Sequence, residues 1–245
     1  MNPSEKTKFI SNWIKLYVDQ MPVKAQTLVI GISGGIDSSV SSTLSAMTGL
    51  RTIVLSMPIR QKDNQHDLSL KHQEWLKNKF KNVEGYTVSL DKLFDSFSSS
   101  LKEFNNEHGF ANSRARLRMT TLYQVAAANK GIVVGTGNKV EDFGVGFYTK
   151  YGDGGVDISP IADCNKTEVW ELGKELGILK EIIDAPPTDG LWDDGRTDEG
   201  QLGFKYEDLE DAMKNPNSPH RQEYEKIRKQ NLHKMEPIPV CKIPS

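Results

Sequence analysis

The chain has 245 residues, of which 37% are hydrophobic and 26% are charged, and its formal net charge is −2 at pH 7. That hydrophobic content can fill a core, and the length fits one α/β domain, so we expect residues 1–245 to form a single domain. The small net charge argues against a nucleic-acid partner, because such domains usually carry a basic excess. It leaves room for a local basic pocket that binds a small phosphorylated ligand.

Cysteine usage and hydropathy indicate where the protein works. Cys164 and Cys241 are the only cysteines, and they form neither a CxxC pair nor a metal-ligand spacing. A disulfide framework is therefore not expected, and the reducing cytoplasm is the expected location. The first residues are polar and lead into an amphipathic segment without a secretory apolar core. No apolar run approaches the roughly 20 residues of a membrane span, so we expect no membrane partner.

Helical and strand patterns alternate along the first half of the sequence. Apolar residues at helical spacing over 9–21 predict a helix that buries one stripe. Short apolar runs predict strands at 27–30, 51–55, 86–90 and 131–135. The segments between them predict helices at 37–47, 67–79, 93–104 and 112–129. This alternation predicts βαβ units, and so an α/β fold with an open, mostly parallel twisted sheet and helices on both faces.

The second half of the sequence is less regular. Residues 142–160 are rich in glycine, and residues 185–203 are dense in Pro, Gly and Asp without periodicity. A loop that long inside a compact domain is usually functional or mobile. Helices are predicted at 166–176, where Gly177 ends the pattern, and near 206–213 and 219–232.

The most specific local pattern is the string Gly-Ile-Ser-Gly-Gly-Ile-Asp-Ser at 31–38, between the first predicted strand and the helix after it. Its glycines let the backbone turn tightly and bring N–H groups close to an anion, and the helix start adds the positive end of its dipole. Its serines can donate hydroxyl groups to phosphate oxygens. It matches neither the P-loop nor the dinucleotide fingerprint. We interpret it as a phosphate-binding loop, made of Gly31, Ile32, Ser33, Gly34, Gly35, Ile36, Asp37 and Ser38.

Two carboxylates near this loop indicate a divalent cation. Asp37 lies among the phosphate donors, where bound phosphate would repel it unless Mg²⁺ stands between them. Glu141 ends the loop after the fourth predicted strand, and parallel strands bring such loops to one crevice. We therefore expect Asp37 and Glu141 to be metal ligands. The alternatives are a helix cap for Asp37, in an ordinary glycine-rich turn, and a solvated Glu141.

The string 31–38 resembles the pyrophosphate-binding loop of the N-type ATP pyrophosphatases. Members of that superfamily cleave ATP between the α- and β-phosphates and adenylate a carboxylate or carbonyl oxygen. Further strings occur in the order seen in the bacterial, ammonia-dependent NAD synthetases, and this resemblance spans nearly the whole chain. These strings are 112–119, 135–141, 147–155, 187–188 and 233–234, of which Thr-Lys-Tyr-Gly-Asp-Gly-Gly at 149–155 is the most specific.

The resemblance implies a fold, a reaction and a set of site residues. The fold is Rossmann-like, of the adenine nucleotide alpha hydrolase type. The reaction is amidation of deamido-NAD by ammonia, with ATP as co-substrate and Mg²⁺ as cofactor, in a homodimer that binds deamido-NAD near the subunit interface. The implied ATP contacts are residues 31–38, Thr136, Lys166 and Thr188, with Asp37 and Lys166 in catalytic roles. The implied deamido-NAD contacts are Arg116, Lys150, Asp157, His233 and Lys234.

Several of these assignments have simpler alternatives. Lys166 could merely open a helix, and His233 and Lys234 could be surface residues that the dipole favours at a helix end. The arginines at 114, 116 and 118 cannot all share one helix face, so at least one is expected in solvent or in a salt bridge. The family often has an arginine before the Leu-Pro after the second strand, whereas this chain has Ser56 there and Arg60 beyond.

The implied reaction has two steps, adenylation of the carboxylate and its amidation by ammonia. Because both steps bring anions together, the expected chemistry is charge neutralisation and positioning. The reactive adenylate must be shielded from water, and the irregular segments 142–155 and 184–203 are the expected lids. Related alternatives are a GMP synthetase or a tRNA thiolase, although the chain lacks a basic surface, cysteine clusters and room for a glutaminase. An alternative of another class is a regulatory nucleotide-binding module without catalysis, which would need no pair of metal carboxylates.

Overall fold

A computed structural model describes residues 1–60, 63–188 and 197–243, without the side chains of 63–65. The strands are β1 Thr27–Gly31, β2 Arg51–Ser56, β3 Val83–Thr87 and β4 Gly131–Val133. The helices are α1 Pro3–Gln20, α2 Ile36–Met47, α3 Asp63–Lys79, α4 Asp91–Ser100, α5 Glu107–Ala128, α6 Lys166–Leu176, α7 Lys180–Ile183, α8 Asp198–Leu202, α9 Tyr206–Lys214 and α10 Arg221–Met235. A 3₁₀ turn, Lys102–Phe104, follows α4, and a π-helical turn, Lys139–Val145, precedes α6.

The strands of the described residues form one parallel sheet in the order β3-β2-β1-β4. β1 pairs with β2 in the register Thr27↔Arg51 and with β4 in the register Thr27↔Gly131. The chain leaves β1 toward β2 and β3 and later returns to the opposite side of β1 as β4. A crevice opens at the carboxyl ends of the strands where the direction of winding reverses in this way. The sheet topology therefore places a crevice at the end of β1.

Helices cover both faces of the sheet, because successive strand residues point to opposite sides. Leu28 and Ile30 of β1 pack in one apolar core with α1, α2 and α6. Val29 packs on the other face in a second core with α4 and α5. The predicted open, parallel sheet with helices on both faces is confirmed, whereas the single domain over 1–245 stays a prediction.

Helix α2 is buried along most of its length even though many of its residues are polar. The hydroxyls of Ser42 and Thr43 both donate to the carbonyl of Ser39, at 3.1 and 2.7 Å, so they are satisfied without water. The Ser42 hydroxyl also contacts Nε2 of the buried His72 at 2.9 Å. Burial lowers the pKa of His72 to about 4, so this contact is neutral at physiological pH. The body of α2 is thus uncharged, and Asp37 lies in its first turn.

The C-terminal helices form a separate apolar cluster around the π-helical turn. Val140 and Val145 of that turn pack with Tyr206 and Leu209 of α9 and with Tyr224 of α10. This packing holds the segment that follows β4 against the end of the sheet. It also brings α9 next to Glu141, a position far away in the sequence.

Several predicted boundaries are wrong by a few residues. The third strand, predicted at 86–90, is Val83–Thr87, because pairing of Val83 with Thr52 of β2 fixes its register. Helix α5, predicted at 112–129, begins at Glu107, because the Asn106 side chain accepts from the Gly109 N–H and caps it. The fourth strand, predicted at 131–135, ends at Val133 and continues only as an isolated bridge. Helix α6 confirms the prediction at 166–176.

The segments predicted to be irregular contain some regular structure. Residues 142–160 begin inside the π-helical turn, and 185–203 contains α8, whose N-cap is Thr197. Positions 189–196 lie outside the described residues, and so does that part of the predicted lid 184–203. Of the helices that the structure describes, none is both long and apolar enough to cross a bilayer.

Candidate active site

The loop between β1 and α2 is a turn whose serines brace one another. Gly34 has a φ of +89°, a conformation that side chains other than glycine rarely adopt. The Ser38 hydroxyl donates to the Gly35 carbonyl at 3.0 Å and accepts from the Ser33 N–H at 3.2 Å. The first N–H groups of α2, beginning at Ile36, have no acceptor within the helix. The loop therefore presents helix N–H donors and the positive dipole end toward the crevice.

The loop after β4 reaches the same crevice and is tied to Asp37 by a buried asparagine. Asn138 is fully buried, and its amide donates to Asp37 Oδ1 at 3.1 Å. Its side-chain oxygen accepts from the N–H groups of Val140 and Glu141, both at 3.1 Å. Gly137 has no side chain because a Cβ there would meet the carboxylate of Asp142. Asn138 thus holds the two predicted metal-binding carboxylates in a fixed relation.

Lys166 joins these carboxylates directly. Its Nζ lies 2.5 Å from Asp37 Oδ2 and 2.9 Å from Glu141 Oε1. The lysine side chain is 1% exposed, and the two carboxylates are 18% and 14% exposed. Lys166 is also the first residue of α6, where the positive dipole end disfavours a cation. Only the two carboxylates explain a buried lysine at this position, so the simpler role of opening a helix does not account for it.

The pKa values in this cluster follow from burial and from opposite charge. Burial raises the pKa of Asp37, against the lowering by Lys166 and with a further rise from Glu141. Burial acts the same way on Glu141, but Lys166 and a hydrogen bond from Tyr206 outweigh it and lower the pKa of Glu141. Burial alone would lower the pKa of Lys166, but the two carboxylates raise it well above its ordinary value. Two carboxylates around one ammonium group leave an excess negative charge that favours a further cation.

Tyr206 completes the cluster from the C-terminal helices. Its hydroxyl donates to Glu141 Oε1 at 2.5 Å, and its ring centroid lies 4.9 Å from Lys166 Nζ. The side chain is fully buried. Trp170 of α6 packs edge-on against the ring, with centroids 5.8 Å apart. Tyr206 therefore fixes the Glu141 carboxylate and offers an aromatic face to the lysine.

The predicted ATP and metal residues line one cavity of about 380 Å³ at the carboxyl ends of β1 and β4. The structure brings all of them together although they come from four separate segments of the chain. The lining includes the whole phosphate loop, residues 31–38, with Thr136, Glu141, Lys166 and Thr188. The end of β1 is where the topology opens a crevice, so the fold and the motif indicate the same place.

The predicted deamido-NAD residues do not line this cavity, and three of them, Arg116, Lys150 and His233, are joined by hydrogen bonds. Arg116 Nε donates to the Lys150 carbonyl at 3.2 Å, and Lys150 Nζ donates to the His233 carbonyl at 3.0 Å. Lys234 Nζ donates to the Tyr148 carbonyl at 2.9 Å. These contacts join α5, the glycine-rich segment and α10. His233 and Lys234 lie in the last turn of α10, as the simpler interpretation of them as helix-end residues predicts. Lys234 also contacts the distant segment that contains Tyr148.

Asp157, the remaining predicted deamido-NAD residue, lies beside a second, open hollow of about 510 Å³. Its carboxylate accepts from the Tyr123 hydroxyl at 3.0 Å and from the Val133 N–H at 2.7 Å. Tyr151, on the hollow's wall, has a φ of +65°, a strained conformation that commonly marks functional sites. The hollow is lined by Met119, Thr120, Tyr123, Gln124, Tyr151 and Gly155.

Some residues of the site were not predicted from the sequence. Asn138 lies within the 135–141 string and Asp142 directly follows Glu141, so their polar side chains beside a predicted metal ligand could have indicated them. Arg118 lines the cavity, whereas the family resemblance implies a role for Arg116. Tyr206 is 65 residues from Glu141 and carries no local signal.

Ser56 and Arg60 have structural roles away from the cavity. The Ser56 side chain is buried and its hydroxyl contacts the Ser69 hydroxyl at 2.7 Å. Arg60 forms an exposed ion pair with Asp95 and donates its backbone N–H to Asp91. Neither residue lines the cavity described above.

Comparison with known proteins gives one consistent family. The profile described as NAD synthase matches residues 6–243. The NH₃-dependent NAD⁺ synthetase of Carboxydothermus hydrogenoformans is 38% identical over 86% of this chain and 85% of its own length.

Solved structures resemble the chain over nearly its whole length. The NMN synthetase of Francisella tularensis has a TM-score of 0.91 and 33% identity, covering 99% of this chain and 100% of that chain. The NH₃-dependent NAD synthetase of Campylobacter jejuni has a TM-score of 0.79 and 24% identity, with the same coverage of both chains. At 24% identity, the resemblance to the Campylobacter jejuni structure shows a shared fold.

We predict that Lys166→Met destabilises the fold by about 3 kcal/mol, because it leaves two carboxylates partly buried without their cation. The loss should be larger at pH 8 than at pH 5. In the native chain Lys166 lowers the pKa of both carboxyl groups against the effect of burial, so its removal should raise both folded pKa values. A carboxyl group with a raised folded pKa loses its contribution to stability as pH rises through that pKa, so the variant should lose more stability at the higher pH. Urea unfolding at both pH values measures this.

The matched control is Lys139→Met. Lys139 also pairs with a carboxylate, Asp163, but the side chains are 40% and 97% exposed. Its removal should change the free energy of unfolding by less than about 0.5 kcal/mol at either pH. A pH-independent loss in the Lys166 variant would contradict the charge explanation.

Proposed function

The chain belongs to the NAD synthase family, and we propose that it amidates the nicotinate carboxyl group of deamido-NAD with ammonia and ATP. NAD, AMP and pyrophosphate are the products. The observation that carries the proposal is one cavity in which a phosphate-binding loop, Asp37, Glu141 and Lys166 meet. The second, open hollow beside Asp157 supports a separate place for the larger substrate.

The reaction needs activation because a carboxylate has no leaving group. One carboxylate oxygen attacks the α-phosphorus of ATP, a P–O bond forms, and pyrophosphate leaves with the electrons of the broken P–O bond. Ammonia then attacks the carbonyl carbon of the acyl-adenylate, loses a proton, and displaces AMP. The first step brings two anions together and the second releases AMP as an anion, so electrostatic stabilisation should dominate catalysis.

The chain's own groups can supply that stabilisation. The N–H groups at the start of α2 and the serine hydroxyls of the loop can hold the departing phosphates. Lys166 keeps its charge at neutral pH, because Asp37 and Glu141 raise its pKa. Lys166 contacts both carboxylates and lines the same cavity as the phosphate loop. We assign Asp37 and Lys166 to the catalytic step on this basis.

The donor set fits Mg²⁺ as the family's cofactor. Asp37 and Glu141 already converge on one cationic nitrogen, so they can share a cation, and oxygen ligands suit Mg²⁺. The described residues contain no group of three or more His, Cys, Asp or Glu that could hold a metal by itself. The ion would therefore depend on these two carboxylates and on phosphate oxygens of ATP. When bound, Mg²⁺ would neutralise charge on the phosphate chain during adenylation.

No covalent enzyme intermediate is needed in this scheme. Cys164 is buried, and burial raises the pKa of its thiol to about 11, so it is a poor nucleophile. Cys164 and Cys241 are both free thiols. Free thiols support our inference that the protein works in the reducing cytoplasm.

We assign the deamido-NAD contacts to Arg116, Lys150, Asp157, His233 and Lys234. Two contacts support this assignment. Arg116 donates to the Lys150 carbonyl, and Asp157 accepts from Tyr123, which lines the open hollow. Tyr123 and Tyr151 there are 38% and 59% exposed aromatic rings, which interfaces favour. This supports a homodimer whose interface borders the hollow.

A second candidate substrate is the mononucleotide, nicotinic acid mononucleotide. The observation in its favour is the TM-score of 0.91 with the NMN synthetase of Francisella tularensis, compared with 0.79 for the NAD synthetase of Campylobacter jejuni. The mononucleotide carries the same nicotinate carboxyl group, so the activation chemistry is unchanged. Only the distant part of the substrate differs.

We expect the purified chain, given ATP, Mg²⁺ and ammonium, to convert deamido-NAD to NAD with stoichiometric AMP. Parallel reactions with deamido-NAD and with nicotinic acid mononucleotide, followed by chromatography, compare kcat/KM for the two substrates. A higher value for the mononucleotide selects the second candidate. Absence of AMP with both substrates would reject the enzyme and favour a regulatory nucleotide-binding module.

Asp37→Asn should lower the rate of pyrophosphate release by about 100-fold or more, because it removes a charge on which the transition state depends. The amide keeps the shape of the side chain, and thermal unfolding checks that the fold survives. Asp163→Asn is the control, since Asp163 pairs with Lys139 and is 97% exposed. Equal pyrophosphate release by the Asp37 variant and the native chain would remove Asp37 from catalysis.

The dimer is testable in solution. Sedimentation equilibrium should give twice the chain mass of 27.5 kDa. Tyr151→Asp should shift the equilibrium toward monomer, because it places a charge in the proposed interface. Phe104→Asp is the control, a 77% exposed ring in the 3₁₀ turn after α4. A monomeric native chain at micromolar concentration would contradict the proposed interface.

A further inference from the structure

The charges that line the cavity are unbalanced for an anionic ligand. Its described lining contains the carboxylates Asp37, Glu141, Asp142, Asp153 and Asp198, but only two cationic side chains, Lys166 and Arg118. A phosphate chain entering this cavity can therefore meet two described cationic side chains, Lys166 and Arg118.

Helix α5 gives its three arginines different environments. Arg114 is buried, and its guanidinium carbon lies 4.8 Å from the centroid of the Phe94 ring. Arg116 is exposed and donates to the Lys150 carbonyl. Arg118 is half-buried and lines the cavity. The structure thus separates a packing arginine, an outer arginine and a cavity arginine, which the sequence could not distinguish.

The backbone of Arg118 and one of its nitrogens are anchored at the sheet. Its Nε donates to the Met57 carbonyl, directly after β2, at 3.0 Å. Met57 in turn touches the end of β1, because a Cβ on Gly31 would lie 3.1 Å from its Cε. Leu122, one turn after Arg118, would lie 3.4 Å from the same Cβ. The Nε of Arg118 is therefore held beside residues that pack against the start of the phosphate loop.

We propose that Arg118 is a further nucleotide-binding residue, whose guanidinium donates to the phosphate group that remains on AMP. In this binding mode the start of α2 would hold the outer phosphates, and Arg118, which lines the same cavity, would face the phosphate next to the ribose. A guanidinium fork suits two phosphate oxygens. The proposal rests on the proposed function in taking an adenine nucleotide as the ligand.

The decisive variant is Arg118→Gln. The amide nitrogen of glutamine occupies the position of arginine Nε, so it can keep the hydrogen bond to the Met57 carbonyl while the guanidinium is lost. Calorimetric titration of the full chain with adenosine, AMP and MgATP separates the roles. We expect AMP and ATP affinity to fall about 10-fold or more, as for lost charge-assisted hydrogen bonds, with adenosine affinity unchanged.

Arg60→Gln is the matched control, because Arg60 also follows β2 but pairs with Asp95 outside the cavity. It should bind all three ligands like the native chain. Unchanged AMP affinity in the Arg118 variant would overturn the proposal. An equal loss for adenosine and AMP would also overturn it, because a purely structural tether does not distinguish them.

A measurement on the native chain covers the case in which the variant does not fold. Phenylglyoxal modifies arginines, and mass spectrometry reports the rate at each one. AMP should slow modification of Arg118 but not of Arg60, and adenosine should slow neither; equal rates at Arg118 with and without AMP would overturn the proposal. If the native chain binds no adenine nucleotide, the proposed function falls too, whereas a loss of amidation with intact AMP protection removes only that function.

Discussion

The ion cluster of Lys166 with Asp37 and Glu141 is the interaction on which the rest of the site depends. It joins the first turn of α2, the turn after β4 and the first residue of α6, three segments far apart in the sequence. Each partner alone would be costly to bury, because an unpaired charge in a partly dry environment is strongly disfavoured. Together they leave one negative charge in excess, which is the feature that prepares the cavity for a cation and its phosphate ligand.

The fold supports this cluster from all sides. The parallel sheet brings the ends of β1 and β4 together, and Asn138 ties the loop after β4 to Asp37. The C-terminal helices contribute Tyr206, whose hydroxyl fixes Glu141 and whose ring faces Lys166. These contacts hold the carboxylates in place, and the single lysine does not neutralise both of them. Preorganised charge of this kind is the main source of stabilisation when an enzyme brings anionic substrates together.

The two hollows differ in the chemistry of their linings. The inner cavity has the phosphate loop and the charged cluster, whereas the outer hollow has tyrosines and little charge in its lining. Helix α5 contributes residues to both, and Met119 lines each hollow. The sites that we propose for the two substrates therefore adjoin each other, as attack of a carboxylate oxygen on the α-phosphorus requires.

The sequence by itself determined the parallel sheet, the phosphate loop and the carboxylate pair, because strand–helix alternation and a glycine-serine loop are local patterns. It also selected Thr136, Lys166 and Thr188 through resemblance, and the structure places them in one cavity. It did not show which arginine of α5 lines the cavity, that β3 begins at Val83, or that Tyr206 belongs to the site. Those depend on pairing and packing between distant segments, which only the tertiary structure decides.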